Sequence, residues 1–69
     1  MGIEIVRVDE NAPRGSFFIG YRDGSGNYRA LKIDGQTFHS HRHVAEDIRE
    51  RYLENQDLDI HHSVQIYRV

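Results

Sequence analysis

Three histidines alternate with other residues in the middle of the chain, in the pattern H-x-H-x-H. They are His39, His41 and His43, three of the five histidines in the sequence. Because alternate side chains of an extended strand point to one side, these imidazoles could share a zinc or nickel ion. In a helix, however, His41 and His43 would diverge by about 200° and would be ordinary surface residues. A histidine metal site is therefore an alternative interpretation, and no cofactor is predicted.

Acidic side chains concentrate between residues 46 and 59. This window holds six acids and two arginines, a net charge of −4, whereas the whole chain has a net charge of −2. Carboxylates along a helix can occupy sites meant for phosphates, and their field speeds association with a cationic partner. We therefore expect a protein partner with a basic surface, bound through Glu46, Asp47, Glu50, Glu54 and Asp57. The alternative is a solvated helix face with salt bridges such as Arg42–Glu46.

Aromatic and basic side chains combine on a second candidate surface, in the first half of the chain. The segment 23–27 (DGSGN) predicts a hairpin turn, and a three-residue loop over 24–26 places Tyr21 opposite Arg29. One face of this hairpin then carries Phe18, Arg22, Tyr28 and Lys32. Rings on such a face can stack on bases while cations hold phosphates. A DNA- or RNA-binding domain is therefore the leading alternative function.

The other face of the same hairpin is apolar. The loop length pairs Ile19 with Leu31 and Phe17 with Ile33, which places these side chains on one side of the sheet. Ser40 is the predicted helix N-cap. The helix that follows has an apolar stripe, formed by Ala45, Ile48 and Tyr52. We expect this stripe to pack on the apolar side of the sheet.

These elements define an α+β fold with the order β-β-β-α-β, a mostly antiparallel sheet with one helix packed on one face. The strands are predicted at 2–8, 16–22, 28–34 and 62–69, the helix at 41–55, a loop at 9–16 and a connector at 56–60. The last strand is expected to run parallel to the first and beside it, in the order 4-1-2-3. An exposed sheet edge could then pair across a homodimer.

Composition excludes several classes of protein. A chain of 69 residues predicts a single domain, residues 1–69, and the absence of cysteine excludes disulfides and thiolate metal sites. No apolar run approaches the roughly 18 residues that a membrane helix needs. The sequence contains no nucleophile elbow or phosphate loop, and so short a chain leaves little room for a shielded cleft. We therefore expect a cytoplasmic protein that is not an enzyme.

Two resemblances extend this interpretation. The segment YRALKIDGQTF with the predicted helix is similar to integrase arm-binding and plant AP2-type DNA-binding domains, over about 25 residues. Tyr28, Arg29, Gly35, Phe38 and Ala45 carry that similarity, which implies a three-stranded sheet that reads DNA with a helix behind it.

In size and charge, the chain also resembles regulators and inhibitors of phages and mobile elements, including anti-CRISPR proteins and nucleic-acid mimics. That resemblance is one of type and carries over no residue. It implies a small non-enzymatic interaction module that occludes a site on its partner, and this is the leading functional hypothesis.

Overall fold

The computed structural model describes residues 3–53 and 64–69. The elements are β1 (Ile3–Arg7), β2 (Phe17–Arg22), β3 (Tyr28–Ile33), β4 (Phe38–His39), α1 (Arg42–Ile48), a π-helical segment (Arg49–Leu53) and β5 (Gln65–Arg68). They form a small α+β fold, in which an antiparallel sheet curls as a half-barrel against one short helix. The predicted fold class is confirmed. The connector at 56–60, residues 54–55 of the predicted helix and residues 62–63 of the predicted last strand lie outside the described residues.

The predicted strand order is wrong. β1 pairs antiparallel with β3, and β5 pairs antiparallel with β2. Gly20 has Ala30 as its partner on one side and Gln65 on the other, so β2 lies inside the sheet. The order across the sheet is therefore β1-β3-β2-β5. The loop after β1 leaves room for one strand between β1 and β2, and β3 later occupies that position. Every pair of neighbouring strands is then antiparallel, an arrangement in which the hydrogen bonds run perpendicular to the strands.

The β2–β3 hairpin has the predicted loop. Tyr21 pairs with Arg29, the Asp23 amide donates to the Asn27 carbonyl at 2.8 Å, and Gly26 has φ +85°. The Asp23 carboxylate accepts the Arg29 Nε–H and the amides of Ser25 and Asn27, each at 2.9 Å. These bonds, the one from Arg29 first, hold the pKa of Asp23 below its ordinary value. The carboxylate thus fixes the turn and its register.

The hairpin ladder ends earlier than predicted. Pairing stops at Gly20–Ala30, and the expected pairs Ile19–Leu31 and Phe17–Ile33 do not form. Instead, β4 takes over this edge of β2, with Phe17 opposite His39. β4 is not among the predicted strands. It follows a two-residue turn at Asp34 and Gly35, which have φ of 51° and 81° and suit a type I′ hairpin.

The core lies between the sheet and α1. The buried side chains at its centre are Ile19, Leu31, Ile33, Ala45 and Val64. Ile48 and Tyr52 of the helical layer pack against them, which confirms the predicted apolar stripe. The Asp34 carboxylate near the Tyr52 hydroxyl raises the pKa of Tyr52. The predicted N-cap is wrong: His41 holds that position with extended backbone, and its side chain makes no capping hydrogen bond.

Candidate functional site

One side of the sheet faces away from α1, and we call it the aromatic face. Cross-strand partners share a side of an antiparallel sheet, so the pairs of Phe18 with Phe38 and Tyr67 belong together. The same rule adds the remaining members from β1, β3 and β5. The described aromatic face comprises Glu4, Val6, Phe18, Gly20, Arg22, Tyr28, Ala30, Lys32, Phe38, Gln65 and Tyr67.

Four rings form one cluster on the aromatic face. Phe18 stacks on Tyr67 with centroids 5.4 Å apart, and it meets Tyr28 and Phe38 edge-on, each at 6.2 Å. Tyr28 and Tyr67 are also in edge contact, at 5.2 Å. Tyr28 lies opposite Arg22, so its ring reaches Phe18 across Gly20 and Ala30. The absent or small side chains at these two positions leave the space for that contact.

The rings differ in their accessibility. Phe18 is 2% exposed and forms the centre of the cluster, whereas Tyr28 is 41% exposed. Phe38 and Tyr67 are half-buried. Phe18, predicted as a base-stacking ring, is therefore enclosed by its neighbours and offers no free face to a base. Tyr28 is the ring of the predicted set that remains open to a partner.

The predicted cations, Arg22 and Lys32, both lie on the aromatic face. Arg22 is exposed and its guanidinium lies over the turn beside Gly26. Lys32 is half-buried and directly opposite Glu4 on β1. An opposite charge across the strands offsets the charge of this lysine. The face thus combines an aromatic centre with a margin of mixed charge.

The described helical layer carries three of the predicted acidic side chains, Glu46, Asp47 and Glu50, and two of these are paired. The Arg42 Nε–H donates to Glu46 at 3.1 Å, and an Arg51 N–H donates to Asp47 at 2.9 Å. The i,i+4 spacing places each of these carboxylates beside an arginine, so the Arg42–Glu46 salt bridge of the alternative interpretation is confirmed. Glu50 is exposed, and Glu54 and Asp57 lie outside the described residues.

Charge on the described helical layer balances. Residues 42–53 hold three arginines and three acids, a net charge of zero. Of the net charge of −4 in the window 46–59, −3 comes from Glu54, Asp57 and Asp59, which lie outside the described residues. Arginines of this layer pair with its acids, and salt screens the exposed charges. The electrostatic attraction between this layer and a basic surface is therefore weak.

The three alternating histidines have different environments. His39 is buried at 5% exposure, and its Nε2 has no hydrogen-bond partner in the described part of the chain. His41 and His43 are exposed and stack on each other at 5.4 Å. Their predicted divergence is wrong, since His41 precedes the first helical residue. Among residues 3–53 and 64–69, no three potential ligands lie close enough to hold a metal ion.

Grooves on the described surface are open. One of about 530 Å³ lies beside the β3–β4 turn, and one of about 340 Å³ separates α1 from β5. The second is lined by Arg42, Glu46, Arg49, Glu50, Gln65 and Ile66, a polar set in which Arg42 and Glu46 pair with each other. The first groove is lined by Thr37, His39 and Ser40 among others, and the His39 Nε2 makes no hydrogen bond to a hydroxyl within the described residues.

Phe38 and Tyr67 are the site residues that sequence reasoning missed. Tyr67 pairs with Phe18 of β2, a neighbour that the predicted strand order does not provide. Phe38 lies outside the predicted strands, two residues before the predicted N-cap Ser40. The dipeptide Asp34-Gly35 is a strong hairpin signal, and it could have placed Phe38 on a fourth strand beside β2.

The described residues contain no helix with both the length and the apolar character needed to cross a bilayer. Comparison with family models, curated proteins and solved structures found no match to this chain.

Proposed function

We propose that this protein is a non-enzymatic interaction module whose aromatic face binds a protein partner. The observation that carries the proposal is the cluster of four rings on the side of the sheet that α1 leaves uncovered. Tyrosine is enriched among residues that dominate binding energy, because it buries a large area with few rotatable bonds. Phe18 forms the rigid base of this surface and Tyr28 its accessible anchor.

The aromatic face supports a protein partner better than a nucleic acid. A stacking platform needs open rings beside free cations. Here the Phe18 ring is enclosed, and Lys32 lies opposite Glu4. The zero net charge of the helical layer over residues 42–53 argues in the same way against a partner recognised chiefly through basic charge. The partner we propose therefore offers an apolar patch with a polar margin.

A module of this size would act by occlusion. A domain of 69 residues that is not an enzyme would affect its partner by covering a site that the partner needs. The proposed role is therefore regulatory or inhibitory, and the proposed location is the cytoplasm.

The test is affinity capture with the full chain, from lysate of the cells that produce it, followed by binding measurements with the purified captured protein. We expect Tyr28→Thr to weaken binding about tenfold or more, since it removes the accessible ring from a strand position that tolerates threonine. Val44→Thr is the matched control, because Val44 is 37% exposed on the helical layer. It should bind as the wild type does.

Two results would contradict the proposal. Unchanged binding by Tyr28→Thr, with binding lost in Glu50→Lys, would move the interface to the acidic side of the helix. Capture of DNA or RNA with an affinity that falls steeply with salt, and that drops further in Arg22→Ala with Lys32→Ala, would establish the nucleic-acid alternative.

A further inference from the structure

The outer edge of β1 is open in the described part of the chain. Within residues 3–53 and 64–69, β1 pairs with β3 on one side only. The Val8 amide donates to the Tyr28 carbonyl at 3.0 Å, so Val8 faces β3. Because orientation alternates along an antiparallel strand, the amides and carbonyls of Ile3, Ile5 and Arg7 point outward. Three consecutive outward positions form a regular template for another strand.

The β1 edge lacks most of the devices that protect exposed strands. Its register with β3 runs through five consecutive pairs without a bulge, and it contains no proline or glycine. Ile5 is 52% exposed, more than any other large apolar side chain described. It lies on the helix side of the sheet, since it pairs with the core residue Leu31. However, α1 packs chiefly over β2, β4 and β5, and β1 extends beyond it.

We infer that β1 pairs antiparallel with β1 of a second copy of this chain, about a two-fold axis perpendicular to the sheet. The register places Ile5 opposite Ile5 of the second copy. A two-fold contact of this kind closes on itself and gives a dimer. The inference goes beyond the proposed function, because it concerns an edge of the sheet and not the aromatic face.

The strand's own sequence selects this register. It pairs Ile3 with Arg7 of the second copy, so all three outward positions on each strand have hydrogen-bonding partners. Glu4 then lies opposite Val6. A shift of two residues in one direction places Glu4 opposite Glu4, and like charges in that position repel. A shift in the other direction leaves only residues 5–7 of each β1 paired.

The pairing covers an apolar area that the monomer leaves in water. Ile5 contacts Ile5 directly and Ile3 diagonally, which makes a patch of four isoleucines across the axis. A small domain gains more from such burial than a large one, because its own core is limited. The two-fold axis keeps both aromatic faces on the same side of a continuous sheet, so the dimer would present two binding faces to a partner.

The first test is the mass of the full chain in solution as a function of concentration, by sedimentation equilibrium. We expect a species of twice the 8.1 kDa monomer mass to accumulate as concentration rises. Ile5→Lys should abolish it, because two cations would then face each other across the axis. Val44→Lys makes the same change at an exposed position on the helix and should leave the dimer intact.

The second test uses the absence of cysteine from these 69 residues. Residues in a hydrogen-bonded antiparallel pair have Cα atoms about 5.5 Å apart, within disulfide range. Ile5→Cys should therefore form a covalent dimer on mild oxidation, whereas Val44→Cys should stay monomeric. A wild-type chain that is monomeric at every concentration, or equal cross-linking of the two cysteine variants, would overturn the inference. Neither result bears on the proposed function, which is tested separately by the affinity of Tyr28→Thr for its partner.

Discussion

At the scale of single residues, His39 is a buried imidazole in surroundings that oppose a positive charge. Burial lowers the pKa of His39 below its ordinary value of 6.5. Its Nε2 atom has no hydrogen-bond partner among the described residues. The ring lies on the core side of β4, opposite Phe17. Protonation would place a charge there without a partner, and a buried charge without a partner is costly.

We predict that the protein loses stability as pH falls below about 6.5, the ordinary histidine pKa. His39 binds a proton less readily in the folded state than in the unfolded state. The stabilisation that comes from neutral His39 is therefore complete above about pH 6.5, and it is lost as the pH falls below that value. The slope for one group reaches at most about 1.4 kcal/mol per pH unit. Urea unfolding between pH 7.5 and 5 measures it.

His39→Leu should flatten this pH dependence, because leucine keeps an apolar side chain in the same place. His43→Gln is the control, since its ring is exposed and it should leave the pH dependence unchanged. Equal pH dependence in the wild type and in His39→Leu would contradict the assignment to His39.

At the scale of elements, the β2–β3 hairpin depends on one close approach. A Cβ atom built on Gly20 would lie 1.9 Å from the Arg29 carbonyl oxygen, so only glycine lets β3 come this near. Gly20 is also where the β2–β3 ladder ends and β4 replaces β3. The same residue leaves the gap across which Tyr28 reaches Phe18.

Gly20→Ala should destabilise the protein by about 3 kcal/mol or more, because the obstructing atom belongs to the backbone and cannot rotate away. For a domain of this size, each kcal/mol corresponds to roughly 4–8 °C in Tm. Gly24→Ala is the matched control, because no atom of the described residues lies within 4 Å of a Cβ atom built there. Thermal unfolding should show little change for Gly24→Ala, and similar Tm values for both variants would contradict the prediction.

At the scale of the whole molecule, one side chain joins the helical layer to the far edge of the sheet. The Arg49 Nε–H donates to the Val64 carbonyl at 2.9 Å, in a partly buried contact between residues 15 positions apart. Val64 is fully buried and leads into β5. The bond therefore secures the last strand against the layer that covers the core.

Arg49→Met should cost about 1–3 kcal/mol, since the partly buried Val64 carbonyl would lose a charged donor. Arg42→Met is the control, because it removes an exposed i,i+4 pair that contributes about 0.3–0.5 kcal/mol. Chemical denaturation compares the two. Equal losses would mean that the Arg49 bond contributes no more than a surface pair.

Local patterns predicted much of this fold. The alternation in β2 and β3, the loop over Gly24–Gly26 and the helical spacing of Ala45, Ile48 and Tyr52 all depend on contacts between near neighbours in sequence. These predictions are confirmed. For the candidate site, the pattern identified Tyr28, Arg22 and Lys32 as residues of one face. It missed Phe38 and Tyr67, which join that face from strands distant in sequence.

The sequence by itself determined which side chains share a face, because strand and helix periodicities are properties of the local backbone. Only the tertiary structure decided which strands are neighbours. Placing β3 between β1 and β2, and β5 beside β2, depends on long-range pairing that no local pattern encodes. That choice encloses Phe18 within the aromatic cluster, and it leaves β1 as an edge of the described sheet.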